Sequence, residues 1–119
     1  MEPQHPHRWL TIEAVGEVAV ARFVPDVVLT GQEAQAIAEH LLALLAEPGR
    51  RLLLDFANVR SLSSLMLGKL VEFKRAAESA GGRVALCSPQ PDVRAILELT
   101  QLTRVLPIYP GEPEALQSF

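Results

Sequence analysis

Residues 51–56, reading Arg-Leu-Leu-Leu-Asp-Phe, constrain this chain more than any other segment. A near-continuous apolar run that short suits a strand covered on both faces, hence the centre of a sheet with a layer on either side. The rest of the chain has to supply those layers. Pro48 and Gly49 stop the preceding helix, which begins at Thr30 or Gly31 and carries Ala34, Ile37, Ala38, Leu41, Leu44 and Leu45 on one face. A second helix is predicted over 64–80, with Met66, Leu70, Phe73 and Ala77 on one side, Lys69, Glu72 and Arg75 pointing away, and Gly81 and Gly82 closing it.

The flanking segments extend the alternation. Residues 9–15 and 17–24 are rich in Val and Ile at alternate positions and are broken by Gly16, which predicts a hairpin. Residues 83–87 form a further short strand. Residues 88–92 form a turn and cap, leading into a third helix with Val93, Ile96, Leu97 and Thr100 inward. Residues 105–108 form the last strand, and a short terminal helix opens at Pro110 to Pro113. Strands alternating with helices imply right-handed crossovers. The expected fold is therefore α/β, a four- to five-stranded, mostly parallel sheet with an N-terminal antiparallel hairpin and four flanking helices. Residues 9–119 make one domain, and residues 1–8, with two prolines, read as a disordered lead-in.

Composition narrows the function. The 119 residues carry 11 Lys and Arg against 14 Asp and Glu, a net charge of −3, and no run of five basic residues. Nucleic acid and anionic membrane surfaces both need clustered positive charge, so a protein partner or a small ligand is expected instead. No segment has the apolar length of a signal peptide or of a bilayer span, which points to a cytoplasmic protein without membrane insertion. Cys87 is the single cysteine, reads as a buried small hydrophobe, and permits neither an intramolecular disulfide nor a multi-cysteine zinc site. His5 and His7 have no further ligand type near them, and His40 lies opposite the apolar stripe of its helix, where solvent is expected around it. No G-x-S-x-G accompanies these residues, and Gly49, Gly81 and Gly82 follow helices, whereas phosphate-cradling glycines follow strands. Neither an enzyme nor a cofactor is expected.

One segment stands apart. The central strand runs into a loop with three serines, Ser61, Ser63 and Ser64, and the second helix begins at the last of them. Ser63 or Ser64 serves as an N-cap, its hydroxyl accepting from an orphan backbone N–H. The same helix N-terminus would also stabilise a phosphate, which changes the surface by about two charges. With Ser64 taken as the cap, replacing it by Ala should cost the cap, and Ser63→Ala should change little.

The order of these pieces resembles a known family. The strand ending at Asp55, the step Asn58-Val59, then Leu62-Ser63-Ser64 and Leu67-Gly68, then residues 80–87 and 93–100, is similar to the STAS domain of bacterial anti-sigma factor antagonists over most of the chain. The resemblance implies partner switching: an unphosphorylated antagonist binds an anti-sigma factor that is also a GHKL-type serine kinase, phosphorylation of one serine at the start of the second helix breaks the complex, and a phosphatase restores it. Laid on this chain, the family's motif Asp-Ser-Ser/Thr-Gly-Leu-Gly puts the phosphoacceptor on Ser64. It also puts partner contacts at Ser63, Leu65, Met66, Leu67 and Lys69. Ser63 then stands where the family has Asp, Leu65 where it has Ser or Thr, and Met66 where it has Gly. A bulky Met66 implies ordinary helical backbone there. The alternative is a constitutive, unphosphorylated STAS-like subunit of a lipid ABC transporter or of a stress-signalling scaffold, which the apolar Leu65 and Met66 also suit. Either way a monomer or weak dimer is expected.

Overall fold

The computed structural model describes residues 9–25, 27–29 and 31–119. The expected lead-in, His5 and His7, and Thr30 as a helix start lie outside the described residues. Within them the chain forms strands β1 (Leu10–Val15), β2 (Val18–Phe23) and β3 (Val27–Leu29), helix α1 (Gly31–Leu45), strands β4 (Arg51–Asp55) and β5 (Val59–Leu62), helix α2 (Ser64–Ser79), strand β6 (Arg83–Cys87), helix α3 (Pro91–Leu99), strand β7 (Ile108–Tyr109) and helix α4 (Glu112–Gln117). The main sheet has the order β1-β2-β4-β6-β7. β1 runs antiparallel to β2, and the remaining pairs are parallel.

β4 sits at the centre and is buried on both sides, because a strand between two layers has no polar face to offer. Leu52 and Leu54 point into the larger core with Ala21 and Phe23 of β2 and Leu86 of β6, and the apolar stripes of α1, α2 and α3 close that side. Phe23 and Phe56 meet there edge to face, with ring centroids 5.5 Å apart. Leu53 points the other way, into a smaller core with Val18, Val20, Ala85 and Cys87, covered by Ala115 of α4. Each fully buried Leu of β4 contributes about 1.5–3 kcal/mol over an exposed one.

The end of α2 follows from its glycines. Gly81 takes φ +72°, its N–H donates to Glu78 O at 3.1 Å, and the Gly82 N–H donates to Ala77 O at 2.7 Å. This is the Schellman arrangement for spare helix carbonyls. Gly82 also lets the chain pass the turn before β4, since a Cβ on it would stand 2.2 Å from Arg50 O.

Several expectations need correction. β3 and β5 pair parallel in a separate two-stranded ribbon that was not foreseen. The last strand is not 105–108. Leu102–Arg104 forms a 3-10 turn, which buries Leu102 and Leu106 one helical turn apart. Pro107 has no N–H to give a ladder, so only its carbonyl takes part, accepting from Leu86 N at 2.9 Å. Thr100 does not face inward; it is exposed at the C-cap of α3, its hydroxyl donating to Ile96 O at 2.8 Å. His40 is half-buried and lines a groove with Leu10, Thr11 and Ile12.

Candidate functional site

The N-terminus of α2 is held from two sides. The Ser63 N–H donates to Leu29 O of β3 at 3.0 Å, which ties the helix entry to the β3–β5 ribbon. Ser63 has φ −90° and ψ 169°, extended backbone outside the helix, and its Oγ accepts from Met66 N at 3.3 Å. Ser63 is therefore the cap. Ser64, expected in that role, is the first residue of the helix proper, and its exposed side chain takes no part in capping. The reason is geometric: an N-cap hydroxyl reaches the N–H three residues on only from extended backbone, and the turn out of β5 gives that conformation to Ser63.

The other expected contact residues separate into surface and core. Leu65 is 45% exposed and stands beside Ser64. Met66 is 2% exposed and packs in the larger core. Its place as a partner contact is thus corrected, because the third helical position turns inward on the stripe it shares with Leu70 and Phe73. The expectation of ordinary helical backbone at Met66 holds. Leu67 is half-buried against the core. The Lys69 side chain, expected to point away, is only 16% exposed, with Nζ 3.4 Å from Glu72 Oε2. What remains at the surface is the Ser64 hydroxyl with Leu65 next to it in the chain; on the ribbon that leads into the helix, Arg60 of β5 and Val28 of β3 are also exposed. Neither Arg60 nor Val28 was singled out from sequence, since the ribbon that places them was not read.

A second polar group lies at the carboxyl ends of the parallel strands, outside the expected site. Arg22 of β2 bridges Glu13 of β1 and Glu112 of α4. Its register partner on β4 is Asp55, whose Oδ1 accepts from Ala57 N at 3.0 Å. Burial raises the Asp55 carboxyl above its ordinary range; the Ala57 N–H opposes this and the neighbouring Glu112 adds to it. Burial, with the charge of Asp55 beside it, pushes the Cys87 thiol up to about 12. A thiol held that far from ionisation is inert as a nucleophile at neutral pH. Among the described residues no group of three or more His, Cys, Asp or Glu could hold a metal ion.

A sheet with three helices on one face and a single short helix on the other, with an exposed serine at the start of the second helix, defines a small layered α/β domain. The sequence matches the STAS domain over residues 12–115, and the chain belongs to that family. It is 37% identical over 67 residues to a Thermotoga neapolitana protein named as the homologue of a candidate anti-sigma factor antagonist, a match covering 56% of this chain and 59% of that relative, so it spans little more than half the relative's length. Among solved structures it is similar to a candidate anti-sigma factor antagonist of Thermotoga maritima, with TM-score 0.81, 25% identity and 97% of each chain covered. It is also similar to an anti-sigma-factor antagonist domain protein of Planctomyces limnophilus, with TM-score 0.80, 25% identity, and 92% and 96% covered. Among the described residues no helix is long and apolar enough to cross a membrane.

Proposed function

We infer that this protein is an anti-sigma factor antagonist that works by partner switching: the α2 N-terminus docks on an anti-sigma factor with serine-kinase activity, and phosphorylation of Ser64 releases it. The observation that carries the reading is the division of labour between two adjacent serines. Ser63 is committed to the cap, and Ser64 stands exposed at the first helical position with its hydroxyl outside the capping bond. A phosphoryl group on Ser64 therefore leaves the cap intact and sits where the helix dipole favours negative charge. No acidic residue occupies the first turn of α2 to oppose it. The names of the relatives support the antagonist role, and Leu65 supplies an apolar contact beside the hydroxyl.

On a docked surface the same charge acts differently. A dianion next to Leu65 has to be desolvated without a prepared cation, a cost of several kcal/mol and thus about a hundredfold or more in affinity. The test is to isolate the bound partner from the native host and measure its affinity for wild type, Ser64→Ala and Ser64→Asp, with intact-mass analysis of the native protein for phosphate. Ser64→Ala should bind as wild type and Ser64→Asp should lose the partner. If Ser64→Asp binds as tightly as wild type and no phosphorylated form is found, the switch fails. The constitutive subunit of a transporter or signalling scaffold, which Leu65 also suits, then takes its place.

A further inference from the structure

Strand β1 is an open edge of the main sheet. Among the described residues no strand lies beyond it, whereas the opposite edge is β7, only two residues long. The parity of the β1–β2 ladder tells which backbone groups face that edge. The Val24 N–H donates to Trp9 O at 2.8 Å, and counting by twos from Trp9, residues Thr11, Glu13 and Val15 spend both backbone groups on their register partners Arg22, Val20 and Val18. Leu10, Ile12 and Ala14 therefore each turn an N–H and a C=O outward. Edges of this kind are ordinarily blunted by Lys, by Pro or by a bulge. Residues Leu10–Val15 hold neither Lys nor Pro, and their register with β2 runs without interruption. The strand's single charge, Glu13, is paired to Arg22 of the neighbouring strand.

We propose that β1 pairs antiparallel with β1 of a second copy of this chain, about a two-fold axis at Ile12, so that two five-stranded sheets become one. The pattern of the strand is its own complement. Leu10 lies opposite Ala14 of the second copy and Ile12 opposite Ile12, so every outward N–H of these residues meets an outward C=O. Leu10 faces the larger core, and by alternation Ile12 and Ala14 share its face, which makes an apolar strip across the junction. On the other face Thr11 meets Glu13 of the second copy, a hydroxyl that donates to a carboxylate, and no like charges are opposed.

The same residues select this register over its neighbours. A slip toward Val15 that keeps the outward groups facing each other sets Glu13 against Glu13, a destabilising pair of like charges. The corresponding slip toward Leu10 carries Ala14 past the end of the other β1 and loses its bonds. Ile12 is 37% exposed, and with Leu10, Thr11 and His40 it lines a groove of 380 Å³ that offers the Ile12 of the second copy a place out of water. The pairing uses neither Ser64 nor Leu65, so it stands or falls apart from the docking proposed above.

The test is sedimentation equilibrium of the full chain from about 1 μM to about 1 mM, the range in which so small an interface holds a dimer, with amide exchange followed at both ends. Wild type should pass from monomer to dimer, and the amides of Leu10, Ile12 and Ala14 should gain protection with concentration while those of Thr11, Glu13 and Val15 are protected throughout. Ile12→Lys sets two cations against each other at the axis and should weaken association about tenfold, with the circular dichroism of wild type because the position is exposed. Ile12→Cys puts two thiols on a pair with Cα atoms about 5.5 Å apart, within disulfide reach, so oxidised glutathione should link the copies there. Ala14→Cys places the two thiols about 14 Å apart along the strands and should not link. A chain that stays monomeric up to about 1 mM, edge amides whose exchange is indifferent to concentration, a dimer that Ile12→Lys leaves intact, or linkage through Ala14→Cys in place of Ile12→Cys would each overturn the pairing.

Discussion

At the scale of single residues, the exchange of roles between Ser63 and Ser64 shows what decides a cap. Both are serines, both precede an apolar stripe, and the side chain alone does not choose between them; the backbone does, extended at one and helical at the other. Replacing Ser63 by Ala leaves the Met66 N–H without its partner and should lower unfolding free energy by about 1 kcal/mol. Ser64→Ala removes no bond and should stay within about 0.5 kcal/mol of wild type. Urea denaturation of the two variants reads the difference directly, and the reverse order would return the cap to Ser64. Cys87 was legible from its run of apolar neighbours, and the structure buries it fully. A thiol reagent at neutral pH should label it slowly in the native protein and at once in denaturant, whereas rapid native labelling would mean that the face under α4 opens freely. The group of Arg22, Asp55 and Glu112 had no sequence signal. Its members lie on three elements far apart in the chain: the parallel register of β2 and β4 aligns Arg22 with Asp55, and the docking of α4 brings Glu112 to Arg22.

At the scale of elements, legibility followed the length of the pattern. α1 and α2 repeat their apolar stripe over several turns, and the buried residues of α2 are those the spacing predicts. β4 could be read because an uninterrupted apolar run has few other uses. β3 has three residues and β5 carries Arg60 and Ser61 between its buried ends, so neither is long enough for alternation to rise above chance. β7 was displaced because Leu102 and Leu106 follow a helical spacing up to a proline, which the apolar content of 105–108 concealed. The strongest test of the architecture remains the centre of the sheet. Leu54→Asp places an unpaired carboxylate among Phe23, Leu86 and the helices, at a cost of several kcal/mol, comparable with the whole stability of a domain this size. The variant should be unfolded or melt far below wild type by circular dichroism; a melting temperature within a degree or two would remove β4 from the centre.

At the scale of the whole molecule, the charges are spent locally. Arg22, Arg50, Arg51, Lys69, Lys74 and Arg94 each face a carboxylate on the same or an adjoining element. Exposed pairs of this kind add at most about 1 kcal/mol each to stability, but they leave little positive field for an anionic polymer. Binding duplex DNA requires several cations in line along the phosphates, each releasing a counterion and steepening the salt dependence. With net charge −3 and most of its cations neutralised in place, the protein should give no shifted band with duplex DNA at physiological salt, and lowering the salt should not produce the steep gain in affinity that counterion release entails. A salt-sensitive complex at micromolar protein would show that Arg60, Arg75 and Arg104 gather into a basic surface, and would move the partner from protein to nucleic acid. Without such a complex, the proposed docking of a protein at Ser64 and Leu65 stands, and a phosphoryl group there would add about two negative charges to a helix start whose first turn holds no acidic residue.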